Sequence, residues 1–416
     1  MIRKTYIKRR KNCYIILFIL IFNILSIILL PNININVKND EKLIDDENSL
    51  IQPSTSNLPD RHYFKYYKVI IIDHSKVSGT GSHENYPVLI SLFDSDLHDD
   101  VQSTGNDIAF ADNTGWLDHE IELFKQDYNS THAKLVAWVR VPSLSTSLDT
   151  KLSLYYGNAT MSPRENPEGV WNTNYLGVWH LSEEPTGTIY DSTSNNHDGT
   201  PQGSMNSTDQ IDGQIDGSID FDGSDDYIDM GSSIDIASSS FSVSTWAKRG
   251  SSTSADIIFQ QGPAGQNTGL HVGFRSNNSF TFAFWNDDLD TSLSYTDTNW
   301  HHWSCTYDAS TKAKKIYRDG VNIASDTAFN HFLASNDPFY LGYDGMVNEG
   351  FHGQLDESRL LNITLSSGWV STSYNNQNDP NSFYSIGKEK NVSGHPSNAH
   401  YFAYYKEIVV EHSMVY

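Results

Sequence analysis

The segment KLVAWVRV (residues 134–141) sets Leu135, Ala137, Val139 and Val141 on one face of an extended chain, and Val136, Trp138 and Arg140 on the other. Side chains alternate across a strand, so this period of two predicts a sandwich strand. From residue 61 onward the chain is built of such runs. KYYKVIIID, NYPVLISL, DIAFAD, HEIELFK and TKLSLYYG share strand length and β-branched or aromatic content. Gly, Asn, Asp, Ser and Pro separate them, and no long helical period intervenes. The expected fold class is all-β.

A second series of strands begins near residue 171: GVWHL, GSIDFDG, YIDMG, FSVSTWAK, DIIFQQG, GLHVGF, SFTFAFWN, HHWSCTYD, KKIYRDG and FYLGYDG. Their spacing suits two stacked antiparallel sheets. Asp319-Gly320 between strand-like runs signals a hairpin. One short helix is expected, at LSSGWVSTSYNN, with Ser366 or Ser367 as its N-cap.

The N-terminus has a different character. Arg3, Lys4, Lys8, Arg9, Arg10 and Lys11 precede an uncharged apolar run, Tyr14 to Leu30. A helix of that length crosses a thin bilayer, and the basic flank stays cytoplasmic. No small-residue cleavage site follows, so an uncleaved signal anchor is expected, with the remainder exported to the cell surface. The organisation reads as basic flank and anchor (1–30), flexible stalk (31–60), first β-domain (61–170), second β-domain (171–390), and a linker with one further strand (391–416). Six N-x-S/T sequons, at Asn129, Asn158, Asn206, Asn277, Asn362 and Asn391, are compatible with export.

That last strand repeats the first. HYFAYYKEIVVEHSMV (400–415) matches HYFKYYKVIIIDHSKV (62–77) at ten of sixteen positions, with three Ile/Val or Asp/Glu exchanges. A single strand cannot bury a core, so the second copy reads as the start of an unfinished repeat.

The formal net charge of −23 repels phosphate backbones, which makes nucleic acid an unsuitable partner. Of the two cysteines, Cys13 borders the apolar run and Cys305 lies within a strand, so no disulfide framework is expected.

The stretches YKVIIIDHSKVSGTGSHENYPVLISLFDSDL, NDIAFADNTGWLDHEIELF and LVAWVRVPSLSTSLDTKLSLYYGN resemble domain of unknown function 2341, a β-rich module of archaeal and bacterial surface proteins. ENPEGVWNTNYLGVWHLSE looks like the junction such modules make with a concanavalin A-like (laminin G-like) domain. GSIDFDGSDDYIDMG, FSVSTWAK, NWHHWSCTYDASTKAKKIYRDGVNIAS, FYLGYDG and FHGQLDESRLLN carry the likeness to that domain. The resemblance implies two β-sandwich (jelly-roll) domains behind the transmembrane helix, the second concanavalin A-like. Such folds host lectins, adhesins, hydrolases and spacers, so the function must be argued from a site.

Sugars are held by aromatic faces with a few amides and carboxylates. Trp285, Asn286 and Asp287 end a strand in that combination and are the candidate ligand-binding residues. Trp246 and Trp303 alternate with apolar neighbours and read as core. The resemblance also implies one structural Ca²⁺ near a sheet edge, held by Asp356 of GQLDE and Asp191 of YDSTSNNHDGT. The Asp-rich run 209–230 does not satisfy an EF-hand: Ser218 stands at the first ligand position and Asp229 at the last.

Catalysis is not expected. No E-x-D-x-x-E constellation occurs, and the adjacent Asp356 and Glu357 should point to opposite faces of a regular strand. The expected role is glycan or surface-polymer recognition and adhesion. The alternatives are a structural spacer without a small ligand, or a polysaccharide hydrolase.

Overall fold

The computed structural model describes residues 60–250, 255–334, 336–345 and 349–392, all within one compact unit, Pro53–Tyr416. The apolar N-terminal run, Cys13, all but the last residue of the stalk, and the second copy of the repeat lie outside the described residues. Among the described residues no helix is long and apolar enough to cross a membrane.

The first sandwich is built from β1 (Tyr66–Ile72), β2 (Ser82–Asp94), β3 (Ala109–Ala111), β4 (Trp116–Leu117), β5 (His119–Lys125), β6 (Ala133–Ser145) and β7 (Thr150–Tyr156). One sheet has the order β1-β7-β3-β4 and the other β2-β6-β5. Ile70 and Ile72 of β1, Val88 and Ile90 of β2, and Leu152 and Leu154 of β7 close the core between them. The face of β6 expected to act together, Leu135, Ala137, Val139 and Val141, joins that core.

The second sandwich begins with β8 (Tyr175–Trp179), β9 (Thr200–Gln202), β10 (Gln210–Asp212), β11 (Gly217–Asp222), β12 (Tyr227–Asp229) and β13 (Phe241–Arg249). It continues through β14 (Asp256–Gln261), β15 (Leu270–Phe274), β16 (Ser279–Ala283), β17 (Asp288–Ser294) and β18 (His301–Asp308). β19 (Ala313–Arg318), β20 (Val321–Thr327), β21 (Phe339–Leu341), β22 (Tyr343–Asp344), β23 (Glu349–Gly350) and β24 (His352–Leu361) complete it. One sheet runs β10-β11-β24-β13-β18-β19-β20 with β8 beside β24, and the other runs β17-β16-β15-β14-β21-β12-β9. Phenylalanines dominate the space between. Trp303 stacks on Phe280 at 3.9 Å and 3°, a core role as expected. Ile219 and Phe221 face this core, while Asp222, beyond them, caps a turn through the N–H groups of Ser224 and Asp225. Asp319 (φ 51°) and Gly320 (φ 76°) form the left-handed hairpin turn between β19 and β20.

The chain then returns to the first sandwich. The helix Ser367–Asn378 starts on the Ser366 side chain, which accepts from the N–H of Trp369. β25 (Tyr384–Ile386) and β26 (Lys390–Asn391) pair antiparallel with β1. Residues 384–390, expected at the end of the second domain, thus belong to the first domain's sheet. The second sandwich is an insertion between β7 and β25.

The other face of β6 is also buried. Val136 and Trp138 pack with Leu89 against Trp171, Tyr175 and Val178, so the β2-β6-β5 sheet is covered on both sides. The Ser367–Asn378 helix stitches this seam. Asn376 accepts from the N–H of Leu89 (2.7 Å) and donates to its carbonyl (3.0 Å), while Gln377 accepts from the indole of Trp246 (2.7 Å).

Candidate functional site

The outer face of the β17-β16-β15-β14-β21-β12-β9 sheet carries a row set by strand register: Asp229, Tyr340, Gln260, His271, Ala283 and Asp288 are successive cross-strand partners. Residues paired across strands project to the same side. Their neighbours Phe259, Val272, Phe282 and Leu341 turn to the core. Tyr227, Tyr340 and Tyr343 cluster at one end of the row, with Tyr227 stacked on Tyr343 at 4.7 Å and edge-on to Tyr340 at 5.4 Å. A cleft of about 430 Å³ opens beside them, lined by Gln260, Pro263, Asp337, Tyr340 and Tyr343.

The polar groups under this face are short of partners. Gln260 is only 2% exposed and His271 4%. Gln260 donates through Nε2 to the Gly262 carbonyl at 2.5 Å, but its Oε1, both ring nitrogens of His271 and Oδ1 of Asn267 have no hydrogen-bond partner among the described residues. Buried polar atoms are nearly always satisfied, so these are exceptions, and they lie beneath the surface rather than on it. Burial and the charge of Arg275 push His271 down to about 4, so its ring is neutral at physiological pH.

Trp285 closes the row at the far side, its ring 5.8 Å from His271 and edge-on. It occupies the β16–β17 hairpin, where the N–H of Phe284 donates to the Asp287 carbonyl at 3.1 Å. Trp285 (φ 51°) and Asn286 (φ 62°) are both left-handed, as a two-residue primed turn demands. That conformation costs a residue with a side chain about 1–2 kcal/mol. Of the three expected ligand residues, Trp285 is half-buried beside the row and Asn286 is exposed. Asp287 is turned inward, where its carboxylate takes the Lys314 ammonium (3.1 Å) and the N–H of Phe329 (2.7 Å).

Asp191 and Asp356 are both buried. Asp191 accepts four bonds, from the N–H groups of Val178, Thr193 and His197 and from the Thr193 hydroxyl. Asp356 accepts the N–H groups of Gln214 and Ile215 on Oδ2, and its Oδ1 has no partner among the described residues. Neither joins any group of three or more metal-capable side chains among the described residues. With Asp191 saturated by N–H and O–H donors, this pair fits a calcium ion poorly.

Asp356 instead borders a charged cluster in the seam between the sandwiches. His180 Nδ1 lies 2.6 Å from Glu357 and 3.6 Å from Glu122, and its Nε2 lies 3.3 Å from Glu120. Arg359 reaches Glu357 at 2.6 Å and lies 4.2 Å over Trp138 and 4.8 Å over Trp171. The indoles of Trp171 and Trp138 donate to Glu120 and Glu122. Burial disfavours a charged His180, but the three glutamates outweigh it and hold the imidazole well above its ordinary range. Burial likewise opposes ionisation of Glu120 and Glu357; His180 prevails at both, aided by Arg359 at Glu357, and both fall below the usual carboxylate range. Burial and the Glu357 charge push Glu122 and Asp356 well up. Glu357 sits at φ 54° where the β13–β24 register slips between Ser244 and Trp246. This bulge breaks the alternation expected of adjacent residues, and both carboxylates end in the interior.

Comparisons with known proteins agree on the layout. Residues 104–200 match the family described as a domain of unknown function (DUF2341), and residues 222–371 match the concanavalin A-like lectin/glucanases superfamily. The chain carries the two in that order. No curated protein matches it. Among solved structures, domain 4 of AbnA, a GH43 extracellular arabinanase from Geobacillus stearothermophilus in complex with arabinotriose, is 22% identical with a TM-score of 0.40, over 48% of this chain and 97% of that one. The binding domain of Paraclostridial Mosquitocidal Protein 1 is 18% identical with a TM-score of 0.38, over 48% of this chain and 52% of that one. The Ruminococcus gnavus IT-sialidase CBM40 is 14% identical with a TM-score of 0.30, over 33% and 84%.

Proposed function

We propose that this chain is a non-catalytic carbohydrate-binding protein of the cell surface, tethered through its N-terminal apolar segment. It binds neutral glycans on the row from Tyr227 and Tyr340 to Trp285. The observation that carries this reading is the cluster of half-buried Tyr227, Tyr340 and Tyr343 rings beside an open cleft that Tyr340, Tyr343, Gln260 and Asp337 line. A pyranose lays its C–H face on aromatic rings while its hydroxyls bond to polar groups at the rim of the site. The charges point to an uncharged ligand. Asp229, Asp337 and Asp344 border the face, and Arg275 is held by Asp288 and Asp290.

The buried carboxylates support the non-catalytic reading. Glu120, Glu122 and Glu357 meet only inside the seam, walled by Trp138 and Trp171, where no polysaccharide reaches. A rigid spacer is the second reading, favoured by the continuous stack of four sheets. An array of neutral, sialylated and uronic-acid glycans, probed with the whole chain, separates the two. Neutral glycans should bind and Tyr340→Ala should lose them. Silence on the whole array, or binding untouched by Tyr340→Ala, would overturn the proposed face.

A further inference from the structure

Lys314 and Asp287 meet inside the second sandwich, at 0% and 2% exposure. They come from opposite sheets, Lys314 from β19 and Asp287 from the hairpin between β16 and β17. The Lys314 ammonium donates to Oδ1 of Asp287 at 3.1 Å and to its carbonyl at 2.6 Å, and it stands 5.2 Å over the Phe284 ring. An amine and a carboxyl held in this way have already lost the freedom that an encounter in solution would cost.

The two oxygens of this carboxylate have different surroundings. Oδ1 faces Lys314, whereas Oδ2 accepts from the N–H groups of Phe329 (2.7 Å) and Asn330 (3.4 Å). Two backbone N–H groups aimed at one oxygen stabilise the negative charge that develops there when the adjoining carbon is attacked.

A second acid completes the group. Asp326 of β20 is the cross-strand partner of Lys314, and its Oδ2 lies 3.7 Å from the Lys314 nitrogen. Its Oδ1 is buried and has no hydrogen-bond partner among the described residues. Burial, joined by the Asp287 charge, raises Asp326 above the ordinary aspartate range against the pull of Lys314. Such a carboxyl suits a group that takes up a proton and returns it.

The geometry points to an amide bond between the side chains of Lys314 and Asp287, formed within the chain with Asp326 as proton carrier and water as leaving group. One proton passes from Nζ to Oδ1, and the freed nitrogen pair attacks Cγ of Asp287. The π pair of the C–Oδ2 bond moves onto Oδ2, beneath the N–H groups of Phe329 and Asn330. Asp326 takes a second proton from Nζ and delivers it to Oδ1. The Oδ2 pair then restores the carbonyl, the C–Oδ1 bond breaks, and Oδ1 leaves as water. An ammonium and a carboxylate thus become one amide and one water, and no oxidant or co-reactant enters. The bond ties β19 to the β16–β17 hairpin across the two sheets, which fixes the turn that presents Trp285.

Peptide mapping by mass tests this on the whole chain, folded, then denatured and digested. A branched fragment should join Asp287 to Lys314 and weigh one water less than its two parts. Lys314→Arg keeps the cation and should give only unbranched fragments. Asp326→Asn should do the same while retaining a cooperative urea transition. Recovery of Asp287 and Lys314 only in separate fragments of the folded parent overturns the bond. A water lost elsewhere, as in a succinimide at Asp319-Gly320, counts against it equally. A bond formed at parental yield in Asp326→Asn overturns the role given to Asp326.

Discussion

The imidazole of His180, in the second sandwich, stands 3.3 Å from the carboxylate of Glu120, in the first. This contact belongs to a seam of opposite charges. The glutamates favour a charged His180, His180 and Arg359 favour ionised Glu120 and Glu357, and burial with the Glu357 charge disfavours ionisation of Glu122 and Asp356. Ions taken out of water persist only when so compensated.

Stability should therefore fall as the solution becomes alkaline. The folded pKa of His180 lies above its unfolded value of 6.5, so its contribution is complete below pH 6.5 and is lost as pH rises through the folded value. Glu122 and Asp356, raised above 4.5 and 3.8, act in the same direction. Glu120 and Glu357 are lowered, and their contribution disappears as pH falls below 4.5. Melting temperatures measured from mild acid to alkali should decline above pH 6.5, and His180→Gln should flatten that decline.

Arg359→Leu should cost about 3–5 kcal/mol, because it leaves the buried Glu357 with His180 as its one remaining cationic partner among the described residues. Urea unfolding measures this loss. Glu122→Gln should cost much less, because burial and the Glu357 charge already disfavour the ionised carboxylate it replaces.

At the hairpin tip, Trp285→Gly should separate stability from binding. It relieves a left-handed backbone but loses the ring contact with His271, two effects of about 1 kcal/mol each and opposite sign. The variant should unfold near the parent in urea and lose glycan affinity in calorimetry.

Glycan affinity should be indifferent to salt. An uncharged ligand releases no counterions and feels no screened attraction. Titrations at low and high ionic strength should agree, and a steep salt dependence would point to an anionic or cationic partner.

Much of this fold was legible in the sequence. The alternation in β6, the turn at Asp319-Gly320 and the cap at Ser366 are local chemistry, decided by neighbours. The bulge at Glu357 was not legible, since it depends on how β24 meets β13. Nor was the homecoming of β25, only three residues long and too short to display a period. Four of the six sequons, at Asn129, Asn158, Asn206 and Asn277, proved to be turn devices: the Asn oxygen accepts both the N–H and the hydroxyl two residues on. At the site, Trp285 announced itself by an aromatic beside amide and acid. Gln260, His271 and Tyr340 come from three strands, and only register brings them into line. Glu120 and Glu122 left one signal, acids two apart on a strand whose neighbour is apolar on both faces.

The insertion of the second sandwich between β7 and β25 has a mechanical consequence. A pull on the chain before Tyr66 and after Asn391 acts on two residues that are partners in one sheet. The tension runs through that pairing, and residues 175–361 lie off its path while the pairing holds. Under drag, the grip of β26 on β1 yields first, bond by bond, while the face proposed for glycans hangs off the line of force with its shape intact.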